Sequence, residues 1–220
     1  MSIPATPGRR VLLVGATGLV GREVLALLAA DSGVSDVTVL VRRPLVLGSA
    51  TEKVRAVVVD FDQLDTAADH FRVDQIYCAI GTTIRQAGST DAFRRVDLEY
   101  PLRIAELGKA HGTSHFLLVS ALGASASSKV FYNRTKGELE ATVGALGFRS
   151  LTIARPSLLV GERREFRPVE VVLGKLSFLV PGRWKPVHVR QVAHALVHAG
   201  LVDAPGLRVM ENTELRGYSV

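Results

Sequence analysis

Val11-Leu12-Leu13-Val14-Gly15-Ala16-Thr17-Gly18-Leu19-Val20-Gly21 joins an apolar run of strand length to three glycines spaced three apart. A helix-period pattern with apolar Val20, Val24, Leu27 and Leu28 follows it. This is the pattern of a nucleotide-binding turn. Gly15 lets the chain leave the strand sharply, Gly18 removes a Cβ that would hold a pyrophosphate off the backbone, and Gly21 lets the helix pack close to the sheet. The helix then aims its unpaired N–H groups and positive dipole end at the phosphates. Glycines also punctuate ordinary turns; the coincidence of strand, glycines and helix at one place favours the binding turn.

Downstream, apolar runs alternate with helical stretches. Asp36–Val41, Val54–Val59, Asp74–Ile80, His115–Val119, Ser150–Ala154 and Leu207–Met210 are expected as strands, and Ser89–Ala110, Val130–Leu146 and Val189–Ala199 as helices. Pro101 is expected to kink or break the first of these helices. The alternation predicts an α/β, Rossmann-like, doubly wound parallel sheet in a single domain. Residues 155–188, rich in glycine and proline, are expected to form a small C-terminal lid over the substrate region, more mobile than the sheet.

The chain has 220 residues, 47% of them hydrophobic and 22% charged, which suits one well-buried domain and excludes a disordered chain. No apolar run reaches the length of a membrane span, and no charged-then-apolar signal segment precedes the first strand; both point to a cytosolic protein without a membrane partner. The single cysteine, Cys78, rules out an intrachain disulfide and lies in a strand-like run, as a core residue would. His194 and His198 are four apart but lack a third ligand, so no metal site is expected. The net charge of +6 is scattered and does not interleave with aromatic residues, which argues against a nucleic-acid partner. The oligomeric state is left open.

The ends of the strands carry the chemistry. Arg42 and Arg43 stand after the second strand, where an acidic residue would bind the ribose hydroxyl of NAD and an arginine accommodates the 2′-phosphate of NADP; such a pair also serves merely to solubilise a loop. Asp60 and Phe61 end the third strand, where the adenine would lie, and Gly81 follows the fourth, where a ribose would approach the backbone. Ser120 ends the fifth. Tyr132 and Lys136, four apart, share one face at the start of the next helix. An ammonium beside a phenol favours the phenolate and moves a pKa of about 10 toward neutrality, making Tyr132 a general acid or base. Ser120 is placed to hydrogen-bond the substrate oxygen.

With these motifs on Gly15–Gly21, Val59–Asp62, Cys78–Thr83, Val96-Asp97, His115–Ser120, Tyr132–Gly137 and Arg155-Pro156, the chain resembles the atypical branch of the short-chain dehydrogenase/reductase superfamily. More narrowly, it looks like the bacterial relatives of the Tat-interacting oxidoreductase group. The resemblance covers the first strand to about residue 165. It implies an NADP (NADPH) cofactor held by Gly15, Thr17, Gly18, Leu19, Val20, Gly21, Arg42, Arg43, Asp60, Phe61, Ala79, Ile80, Gly81, Pro156 and Leu158, with Lys136 on the nicotinamide ribose. It also implies that Ser120, Tyr132 and Lys136 are catalytic toward a small carbonyl or alcohol. Many members add a helix asparagine that completes a proton relay; the corresponding stretch here offers Asp97 instead. The alternative use of the same fold is an NAD(P)H-binding sensor with little or no turnover.

Overall fold

The computed structural model describes residues 8–46, 52–161 and 182–219. Seven strands form one sheet in the order β3-β2-β1-β4-β5-β6-β9, every neighbouring pair parallel. They are β1 (Arg9–Val14), β2 (Val34–Val41), β3 (Val54–Val58), β4 (Gln75–Cys78), β5 (His115–Val119), β6 (Ser150–Arg155) and β9 (Gly206–Glu211). Strand order reverses between β1 and β4, which opens a crevice at the carboxyl ends of the strands there.

The doubly wound arrangement follows from side-chain alternation. Along β1, Val11 and Leu13 enter one core with Val24, Leu28, Val192 and Leu196. Leu12 and Val14 enter the opposite core with Phe71, Ile104, Phe116, Leu139 and Val143. A strand buried on both faces reads as an unbroken apolar run, which is why these strands are visible in the sequence. The first face is covered by α1 (Leu19–Ala30) and α6 (Val189–Val202), which pack on each other; the second by a 3₁₀ segment, Phe61–Phe71, with α4 (Tyr100–Ala110) and α5 (Phe131–Ala145). The short helices α2 (Ile84–Ala87), α3 (Thr90–Arg94) and α7 (Asn212–Leu215) complete the set.

The expected Ser89–Ala110 helix is divided, and Pro101 stands just after the change of helix type. Thr90–Arg94 passes into a π turn at Arg95–Glu99, in which the Tyr100 N–H donates to the Arg95 carbonyl, and Pro101 occupies the first turn of α4. There its missing N–H costs little, and the widened turn re-aims the side chains at 97 and 98. Of the expected lid, 162–181 lies outside the described residues, and the expectation of its mobility with it. Its flanks are held: β7 (Leu159–Val160) pairs in parallel with β8 (Val187–His188).

Candidate functional site

Gly15 has φ +93°, and a Cβ on it would stand 2.5 Å from the carbonyl carbon of Ala79, so the turn off β1 presses directly on the end of β4. Gly21 does not face the crevice. A Cβ there would fall 2.6 Å from the Gly15 carbonyl carbon and 3.0 Å from the Ala16 Cα, so this glycine lets α1 descend onto the turn. Gly18 caps α1 without a side-chain acceptor, which leaves the first N–H groups of the helix facing the crevice unpaired by any cap. Two adjoining cavities of about 950 and 840 Å³ share Thr17, Gly18, Ala79, Ile80, Gly81, Thr82 and Gln86 and form one continuous crevice.

One end of the crevice is lined by Arg42, Arg43, Phe61 and Tyr100. The two arginines are exposed. Phe61 packs its ring 5.4 Å from that of Tyr100, whose hydroxyl donates to Asp62 at 2.7 Å; burial, reinforced by that carboxylate, pushes the Tyr100 phenol up to about 12. Asp60, beside Phe61, accepts the Asp62 N–H at 2.9 Å and caps the 3₁₀ segment, because a carboxylate at that junction satisfies an otherwise unpaired donor.

The other end gathers Leu19, Val20, Ser120, Leu122, Tyr132, Lys136, Pro156 and Leu158. Ser120 continues β5, its N–H donating to the Ala154 carbonyl at 2.8 Å, while its hydroxyl is buried with no partner among the described residues. Tyr132 lies on the first turn of α5 with its ring 5.6 Å from that of Phe93, and Lys136 follows one turn on. The Lys136 Nζ meets the Asp97 Oδ1 at 2.7 Å, both side chains almost fully buried, and the Thr82 N–H donates to the Asp97 Oδ2 at 2.8 Å. Burial opposes the Lys136 charge, but the Asp97 carboxylate and then Tyr132 outweigh it and leave the ammonium above its ordinary pKa. The expected fall of Tyr132 toward neutrality does not occur. Burial raises its phenol above the ordinary value, Lys136 pulls it down, and Asp97 adds to the rise. The neighbouring Cys78 is a core residue, its thiol pushed up to about 11 by burial.

Sequence reasoning missed the residue that fastens this end. Asn212, fully buried at the start of α7, accepts the Ser157 N–H at 2.9 Å and donates to the carbonyls of Arg183 at 3.0 Å and Lys185 at 2.8 Å. It ties Pro156–Leu158 to the segment that places Trp184 in the crevice wall. No signal near Asn212 announces this, since its partners lie far away in the chain. Among the described residues no group of three or more metal-ligating side chains occurs, and no helix is long and apolar enough to cross a membrane.

A parallel sheet with a glycine turn, an uncapped helix N-terminus and an adjoining crevice at the switch point defines a Rossmann-like dinucleotide-binding protein. The cradle suits such a group: the crevice passes the bare glycine backbone and reaches an unpartnered buried hydroxyl. The chain belongs to the NAD(P)H-binding family, whose model matches residues 15–199. Protein HTATIP2 of Rattus norvegicus is 39% identical over 211 residues, covering 94% of this chain and 86% of its own length. Protein fmp52, mitochondrial, of Emericella nidulans is 34% identical over 203 residues, covering 87% of each chain. Among solved structures, MoeE5 in complex with UDP-glucose and NAD aligns with a TM-score of 0.70 at 19% identity, over 91% of this chain and 74% of its own. A UDP-N-acetylglucosamine 4-epimerase from Methanobrevibacter ruminantium aligns with a TM-score of 0.70 at 14% identity, over 94% and 77%. Those two likenesses bear on the fold alone.

The expectation of a cytosolic protein is overturned by these relatives. Those of Emericella nidulans, Candida albicans and Eremothecium gossypii are mitochondrial proteins by name. The absence of a long apolar run does not fix a compartment, because organelle transit segments are amphipathic rather than apolar.

Proposed function

We propose that the protein is an NADP-preferring oxidoreductase that interconverts a small carbonyl compound and its alcohol. The observation that carries this reading is the meeting, at one end of the crevice, of a buried unpartnered Ser120 hydroxyl with Tyr132 and Lys136. NADPH, when bound, supplies the hydride. Arg42 and Arg43 take the 2′-phosphate through charge-assisted hydrogen bonds, for which the planar guanidinium is suited. The Ser120 Oγ–H holds the substrate oxygen. The Tyr132 Oη gives that oxygen its proton, and the Lys136 ammonium stabilises the phenolate left behind. Leu122, Leu158 and Trp184 line this end and give it apolar walls.

The test is calorimetric titration with NADPH and NADH, followed by NADPH consumption on a panel of aldehydes, ketones and quinones. Tighter binding of NADPH, lost in the Arg42→Ala/Arg43→Ala double variant, supports the NADP assignment, and equal affinities in the wild type overturn it. Turnover on the panel supports the oxidoreductase. Its complete absence favours a cofactor-binding sensor.

A further inference from the structure

The Asp97–Lys136 pair does more than fill space. Its carboxylate is gripped from both sides, by the Thr82 N–H at 2.8 Å and the Lys136 Nζ at 2.7 Å, and the π turn that carries it is an uncommon backbone feature often found at functional sites. The pair also adjoins the crevice: an added Cβ on Gly81 would stand 3.5 Å from the Asp97 Oδ1 and 3.9 Å from the Lys136 Nζ. We propose that Asp97 is a positioning residue that seats Lys136 and offsets its charge, so that Tyr132 rests as a neutral phenol and the site is set for proton donation. The proposal rests on the reading of Tyr132 as the proton-exchanging group.

Among the described residues, few titratable groups face Lys136. From β4 comes the Cys78 thiol, from the π turn Asp97, and from α5 Tyr132 itself; toward Tyr132 the structure turns Lys136, Asp97 and the apolar ring of Phe93. With one cation and one anion beside it, a buried phenol has no net reason to ionise, and the rise in the Tyr132 pKa agrees with this. In reduction, the substrate carbon takes the hydride with its two electrons, the substrate oxygen takes the proton from Tyr132 Oη, and the phenolate recovers a proton from solvent. In alcohol oxidation the same transfers run in reverse, the proton passing from the substrate hydroxyl to the Tyr132 phenolate.

The experiment is a spectrophotometric titration of tyrosinate absorbance in the cofactor-free protein, with the Tyr132→Phe difference isolating one of the four tyrosines. Asp97→Asn keeps an acceptor for the Thr82 N–H and deletes the charge, so the Tyr132 midpoint should fall by about one pH unit or more, a tenfold or larger change in ionisation. An unchanged midpoint overturns the proposal. Should Asp97→Asn fail to fold with a lone buried ammonium, Lys136→Met is compared with the Asp97→Asn/Lys136→Met pair. The single variant should then titrate higher than the double, and equal midpoints overturn the proposal. Because the titration needs no turnover, an inactive substrate panel counts against the oxidoreductase reading and not against this one.

Discussion

Gly21→Ala isolates the contact that seats the nucleotide-facing helix. The added Cβ would lie 2.6 Å from the Gly15 carbonyl carbon, closer still to its oxygen, and 3.0 Å from the Ala16 Cα. Ordinary carbon–carbon contact is about 3.5 Å, so relief requires α1 and the turn to separate by roughly 1 Å. Both obstacles are backbone, and no side chain can swing aside. Overpacking of this kind costs about 1–3 kcal/mol, and the upper end applies where the neighbour cannot yield. The same movement displaces the helix N-terminus from where phosphates would lie and weakens its hold on them. Urea unfolding should show a loss of about 2–3 kcal/mol, and calorimetry should show weaker NADPH binding. Stability within about 0.5 kcal/mol of wild type together with unchanged affinity would refute the argument.

Asn212→Ala leaves the Ser157 N–H and the Arg183 carbonyl without their buried partner, which should cost about 2–3 kcal/mol. It should also shift the emission of Trp184, the only tryptophan, to the red; unaltered emission and stability would show the clasp to be idle. His115, buried with Nδ1 2.7 Å from Asp203 and Nε2 2.9 Å from Thr152, has its pKa lowered by burial although Asp203 pulls it up. A lowered folded value means that the unfolded chain binds the proton first. Stability should therefore be lost as pH falls below the ordinary 6.5, at a rate approaching about 1.4 kcal/mol per pH unit. Urea unfolding at pH 7.5, 6.5 and 5.5 checks this, and His115→Gln should flatten the slope.

The sheet was legible because each of its central strands is buried on both faces and reads as an apolar run, and because β1 hands directly to the glycine turn. The serine, tyrosine and lysine were legible because a strand end and a one-turn helical spacing bring them together without knowledge of anything remote. What escaped depends on distant parts of the chain. The Tyr132 phenol was expected to be acidic from its local lysine, but the carboxylate that offsets that lysine arrives through a π turn, whose altered register no helical periodicity encodes. Asp60, one residue from Phe61, also caps the start of the 3₁₀ segment, a role its local sequence did not announce. Asn212 reaches Ser157 and the carbonyls of Arg183 and Lys185 because β9 lies beside β6 and carries it there.

Tyr132→Phe, assayed for NADPH consumption on the carbonyl compound that the wild type reduces fastest and for NADPH affinity by calorimetry, bears most directly on the oxidoreductase reading. Phenylalanine keeps the ring against Phe93 and deletes only the hydroxyl. Turnover should fall about 10²- to 10⁴-fold with NADPH affinity close to wild type. A variant that retains full activity would mean that the proton comes from another group and that Tyr132 is not the acid/base.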